Sequence, residues 1–165
     1  MDFKKLPAST LRKHKGLSFT GIVTTFYCHD GNGNFLLQKR SKNTRDEQGK
    51  WDFGGGGLKH GYTLIDNIKR EIKEEYGVDA LKIDFIGYFE EFRPAVYNKI
   101  NSHWLAMIFC VLVDKNKVKI NEPDKIDELG WFKLNKLPSP LHSQIQSELD
   151  KFGNNILTTA KNQSN

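Results

Sequence analysis

The chain has 165 residues, is 38% hydrophobic and 27% charged, and carries a formal net charge of +5. That balance describes an ordinary globular domain with enough length for a substantial core. It excludes a transmembrane helix, because no apolar run nears the ~20 residues a bilayer needs, and the N-terminus lacks the apolar centre of a signal peptide.

The charge is uneven. Residues 1–16 hold Lys4, Lys5, Arg12, Lys13 and Lys15 against Asp2, so nearly all the excess lies in a basic leader. The reading is a solvated, partly ordered leader rather than an arm for nucleic acid. Residues 17–160 then read as one domain, and 161–165 as a frayed tail.

Residues 19–28 are rich in β-branched and aromatic side chains and predict a strand. Asp30-Gly31-Asn32-Gly33-Asn34 supplies turn chemistry, and 35–40 predicts the returning strand of a hairpin. Residues 41–50 form a polar loop in which basic residues outnumber acidic ones. Lys39 and Arg40 end the strand beside it and are candidates to bracket an anionic substrate. Trp51 to Phe53 is a short strand, followed by a glycine loop at 54–57. Thr63 is a natural N-cap for a helix running to Tyr76, with Gly77 as its stop. Leu64, Ile68, Ile72 and Tyr76 recur every four residues, which places Glu71 and Glu75 at the edge of a buried stripe with Glu74 beside them. Like charges so placed repel, and a cluster of hard oxygen ligands invites Mg²⁺ or Mn²⁺.

Residues 82–92 and 103–113 predict two further strands, the second the most apolar run in the chain. Residues 121–130 are an acidic loop, after which Trp131-Phe132 begins a last strand. Ser139-Pro140 starts a helix with Leu141, Ile145, Leu149 and Phe152 on its buried stripe, and Gly153 ends it. Cys28 and Cys110 sit in apolar strands without a CxxC pattern. They read as buried thiols of a reducing compartment, so the expected location is cytoplasmic.

The spacing within 56–78 carries the most information. Gly56, five residues, Tyr62, seven residues, then Arg70-Glu71-Ile72-Lys73-Glu74-Glu75-Tyr76-Gly77-Val78 closely resembles the box of the Nudix hydrolases. One fixed position departs: Tyr62 stands where the pattern has its first Glu. The resemblance covers about residues 17–137 and implies the α/β/α sandwich of that family, with a mixed sheet.

The resemblance further implies metal-dependent hydrolysis of a phosphoanhydride in a nucleoside diphosphate joined to a group X: a nucleotide sugar, ADP-ribose or a nucleoside triphosphate. The partner is then a small nucleotide, with no membrane or nucleic acid, and a homodimer remains open. Mapped onto this sequence, Glu71 and Glu75 are the expected metal ligands, with Glu74 sharing that role and the carbonyl of Gly55 joining them. Glu122, with Glu128 second, or a box glutamate serves as the base. Arg70 braces the acids. Phe53, Tyr88, Phe92, Tyr97 and Trp104 are candidates to stack a base.

The alternative is a binding module without turnover, motivated by Tyr62 and Lys59, which make the loop less acidic. A Nudix-fold isomerase of isoprenoid diphosphates is disfavoured, because thiols in apolar strands ionise poorly.

Overall fold

The computed structural model describes residues 7–93 and 101–164. The candidate stacking residue Tyr97, and Lys4 and Lys5 of the leader, lie outside the described residues. In chain order the elements are α1 (Ala8–His14), β1 (Gly21–His29), β2 (Phe35–Arg40), β3 (Trp51–Asp52), β4 (Gly54–Gly57), α2 (Leu64–Tyr76), β5 (Ala80–Arg93), β6 (Ser102–Val113), β7 (Ile126–Phe132) and α3 (Ile145–Gln163). Among the described residues no helix is long and apolar enough to cross a membrane.

β1 organises the sheet. One edge pairs in parallel with β6, from Gly21 opposite Trp104 to His29 opposite Leu112. Its other edge is divided: Val23 to Phe26 pair with the glycine strand β4, and only His29 meets β2, at Phe35. β2 then diverges to pair with β3 and β7. The expected hairpin is therefore joined only at its base, because β4 takes the edge that β2 would have filled. A single residue, Phe53, separates β3 on one side of this split from β4 on the other.

Strand alternation gives each face of the sheet its own core. Phe26, Cys28, Leu36, Phe109 and Val111 pack with Ile68, Ile72 and Tyr76 of α2. Tyr27, Phe35, Leu37, Ile108 and Cys110 pack with Ile145, Phe152 and Ile156 of α3. The result is the helix–sheet–helix layering expected, with a mixed sheet.

Several boundaries differ from the sequence reading. Residues 140–142 are extended rather than helical: Trp51 donates to the carbonyl of Pro140 and accepts from the amide of His142, both at 2.8 Å, so this segment satisfies the backbone of β3. The helix begins only at Ile145 and continues through Gly153. Glycine inside a helix costs about 0.5–1 kcal/mol, but Ile156 and Ala160 beyond it are buried and hold the helix together.

The helix also continues past residue 160, where fraying was expected. Gln163 is 4% exposed. It lies 2.6 Å from His29 Nε2 and donates to Asp84 at 2.7 Å and to the Cys110 carbonyl at 3.2 Å. Trp131 and Phe132 end the last strand rather than begin it, because the preceding acidic residues already pair with β2. At the other end, residues 8–14 of the basic leader are helical.

Candidate active site

α2 forms where its signals place it. Thr63 Oγ1 accepts from the amide of Asp66 at 3.1 Å, and Gly77 closes the helix with φ of 66°. The stripe of Leu64, Ile68, Ile72 and Tyr76 faces the sheet. Glu71 and Glu75 border it and are 8% and 6% exposed. Glu74, whose side chain is 47% exposed, points outward and pairs with Arg70 at 2.6 Å.

The glycine strand lets Glu71 lie against backbone. A Cβ on Gly56 would sit 2.0 Å from the Glu71 carboxyl carbon. One on Gly54 would meet the Phe26 ring at 2.1 Å and the Tyr76 hydroxyl at 2.5 Å. Only residues without side chains allow α2 to approach this closely. Gly55, between them, is paired with Thr25 of β1. The helix start is stitched to the same strands. Asn67 Nδ2 donates to Thr24 Oγ1 at 3.0 Å, and Thr24 Oγ1 donates to the Gly56 carbonyl at 3.2 Å. Asn67 Oδ1 in turn accepts from Arg70 at 2.9 Å.

Arg70 organises the acids. Its guanidinium reaches Glu71 at 2.5 Å and Glu74 at 2.6 Å. Its Cζ also lies 5.6 Å from the Tyr62 ring centre, and Lys59 Nζ lies 5.1 Å from the same ring. The one departure from the family pattern thus keeps a partner for Arg70, the aromatic face supplying a cation–π contact.

Glu75 is the least compensated acid. Its Oε2 is buried without a hydrogen-bond partner. Burial first, then the charges of Glu71 and Glu122, push its carboxyl well above the usual range, opposed by Lys125. Burial also raises Glu71, with Arg70 opposing.

Glu122 is brought to the end of α2 by its neighbour. Asn121 donates from its backbone to the Glu75 carbonyl and from its side chain to the Glu74 carbonyl, both at 3.0 Å. Lys125 Nζ holds both Glu122 oxygens, at 2.8 and 3.0 Å. Glu128 instead lies opposite Lys39 in the sheet, 3.7 Å from its ammonium. Arg40 is committed to Asp46 at 2.6 Å and to Asp52 at 3.2 Å.

Among the described residues, no three His, Cys, Asp or Glu side chains are gathered as a metal-holding group. Glu74 is turned outward by the helical phase and pairs there with Arg70, while Glu71 and Glu75 border the buried stripe. The donors nevertheless fit a hard divalent cation. Glu75 presents a buried oxygen with no partner, next to a second buried carboxylate and a backbone strand, and carboxylate and carbonyl oxygens suit Mg²⁺ or Mn²⁺.

Of the stacking candidates, Phe53 is buried in the core. Tyr88 and Phe92 are exposed, and Phe92 stacks on His103 with centroids 4.3 Å apart. Trp104 has the Arg45 guanidinium 5.7 Å from its ring. Sequence reasoning gave no role to Asp52 or Gln38 and missed Lys125. Asp52 pairs opposite Gln38, and Gln38 Oε1 is a further buried atom without a partner. Strand alternation carried a signal for Asp52, since it lies between the two core residues Trp51 and Phe53. The i,i+3 spacing of Glu122 and Lys125 carried one for the lysine.

Comparison with known proteins agrees with this architecture. The family model described as NUDIX domain matches residues 20–152. An uncharacterized Nudix hydrolase of Yersinia pestis is 31% identical over 66% of this chain, a match that spans only 56% of the Yersinia protein. The nucleoside triphosphatase NudI of Escherichia coli (strain SE11) is 27% identical over 61% of this chain and 74% of its own. Among solved structures, a MutT NUDIX hydrolase from Burkholderia pseudomallei superposes with a TM-score of 0.70 at 25% identity, covering 80% of this chain and 97% of that one. A MutT protein from Methanosarcina mazei Go1 gives 0.68 at 24% identity, covering 82% and 94%.

Proposed function

The chain belongs to the Nudix family, and from that premise we propose that it hydrolyses a phosphoanhydride bond in a nucleoside diphosphate linked to another group, using Mg²⁺ or Mn²⁺. Nucleoside triphosphates are the first class to test, because relatives carry the name nucleoside triphosphatase. Nucleotide sugars and ADP-ribose follow. The observation that carries this reading is the buried Glu75 oxygen without a hydrogen-bond donor, within reach of the charge of Glu71, which itself packs on Gly56 of the glycine strand. A purely structural helix does not bury a carboxylate oxygen without a donor, since that costs about 1–3 kcal/mol or more.

A phosphoanhydride resists water because its charged oxygens repel a nucleophile. A bound divalent ion supplies neutralising charge and an acidified water. Glu71 and Glu75 would hold it, joined by Glu74 and by the Gly55 carbonyl of β4. Arg70 orients Glu71 and Glu74 through separate nitrogens. Glu122, next to Asn121 at the end of α2, would accept the proton from the attacking water. Lys39, only loosely paired with Glu128, is the better substrate contact of the two strand-end cations. Arg40 braces Asp46 and Asp52. Two buried free thiols fit a reducing cytoplasm. Burial raises the Cys28 thiol well above its ordinary value and pushes Cys110 up to about 12, which leaves neither suited to isomerase chemistry.

The test is a hydrolysis panel with product identification, run with Mg²⁺ and Mn²⁺ on the native protein and on Glu75→Gln. Turnover of a nucleotide by the native protein and its loss in the variant are expected. Nucleotide binding without turnover across the whole panel would instead support a regulatory binding module.

A further inference from the structure

The basic leader reaches the end of the glycine strand. α1 ends at His14, and the turn after it is locked onto β6. Gly16, with φ of +79°, lies so close to Trp104 that a Cβ there would fall 2.3 Å from the indole, and the His103 amide donates to the Gly16 carbonyl at 2.8 Å. This anchor fixes the backbone on either side of Lys15.

From there the half-buried Lys15 side chain extends to the glycine strand, where its ammonium donates to the carbonyl of Leu58. A Cβ on Gly57 would lie 3.3 Å from that ammonium, so the lysine stands beside the position where Gly57 has no side chain of its own. Gly56, the next residue back, packs against Glu71 on the other face of the same strand. An ammonium has three donors, and the Leu58 carbonyl uses one.

We propose that Lys15 is a substrate-binding residue whose ammonium contacts the phosphate chain of the nucleotide at the glycine strand. This rests on the phosphoanhydride reading above. The electrostatics favour an anionic ligand. Burial and the charge of Arg12 both disfavour the ammonium, and the charge of Glu71 opposes them. An incoming polyphosphate would engage the remaining donors of this half-buried ammonium, and in a partly desolvated site charge-assisted bonds to phosphate are the strong ones.

Lys15→Gln is the decisive variant, because its amide can still donate to the Leu58 carbonyl but carries no charge. Lys15→Arg restores charge, and Lys13→Met, on an exposed position of α1, is the control. The readouts are calorimetric affinity for a non-hydrolysable α,β-methylene nucleoside triphosphate, steady-state KM and kcat, and the thermal shift given by Mg²⁺ alone. Lys15→Gln is expected to weaken analogue binding about tenfold and to raise KM more than it lowers kcat. Lys15→Arg recovers most of the loss, and the Mg²⁺ shift stays native. Native affinity and KM in Lys15→Gln would overturn the proposal. Loss of the Mg²⁺ shift in that variant would also overturn it, showing a pin for the glycine strand instead. If the native protein binds the analogue without hydrolysing any nucleotide, and Lys15→Gln still weakens that binding, the hydrolase reading falls while Lys15 stands.

Discussion

The protein buries glutamates on both faces of its sheet, and the two groups are treated differently. On the α3 face, Glu148 accepts from the Tyr27 hydroxyl at 2.7 Å and meets the carboxyl of Glu91. Glu91 is paired with Arg93 at 2.7 Å, and Arg93 reaches on to Asp46. On the α2 face, Glu75 keeps a buried oxygen that meets no hydrogen-bond donor in good geometry, with the Tyr76 hydroxyl and the Lys125 charge as its neighbours. A satisfied buried acid stiffens a core, whereas an unsatisfied one stores an affinity for a cation. The first group is structural, and the second is the one proposed above to hold the cation.

The largest test of that contrast exchanges one acid from each side. Glu75→Gln should lower turnover about a hundredfold or more without loss of stability, because a neutral amide relieves a buried charge. Glu148→Gln should leave kcat/KM near native. Parallel losses of turnover in both would erase the distinction between the two faces. Next in size is metal stabilisation. Saturating Mg²⁺ or Mn²⁺ should raise native stability by about 2.7 kcal/mol at a hundredfold excess over Kd. Glu75→Gln should lose this gain and Glu148→Gln keep it, as read by thermal denaturation with and without chelator.

Tyr27→Phe removes the donor to Glu148 and should cost about 1–3 kcal/mol in equilibrium unfolding, with no effect on metal-induced stabilisation. pH separates the faces further. Burial raises Glu148 from 4.5 to about 8, so between those values the folded protein holds a proton that the unfolded chain releases. Stability should then fall as pH rises through this window, by up to ~1.4 kcal/mol per pH unit, and Glu148→Gln should flatten the slope. Glu75 is raised in the same direction, but metal saturation should remove its share, because the ion competes with the proton. The smallest effect belongs to Tyr62. Its replacement by Ala should cost about 0.5–1 kcal/mol through the lost face for Arg70, while Tyr62→Glu should retain turnover.

Much of this was legible along the chain. The helical period of Leu64, Ile68, Ile72 and Tyr76 announced which face of α2 is buried, and Thr63 and Gly77 announced its ends. The spacing from Gly56 to Val78 announced the family. Those features are local: capping, periodicity and box spacing are written in neighbouring residues. Other expectations failed for equally physical reasons. Ser139-Pro140 carries a good start signal, yet the next residues are held extended by the backbone of Trp51. Gly153 carries a good stop signal, yet burial further along keeps the helix going.

The sequence by itself thus determined the α2 acids and the family, because each depends on residues within a few turns of one another, and the layered fold followed from the family rather than from local signals. Tertiary structure alone decided that Glu74 turns outward while Glu75 is left unpartnered, that Glu122 stands at the end of α2, and that Lys15 crosses from the leader to the glycine strand. Those outcomes depend on which distant groups share a small volume, and desolvation and hydrogen-bond satisfaction are properties of that volume rather than of the order of residues.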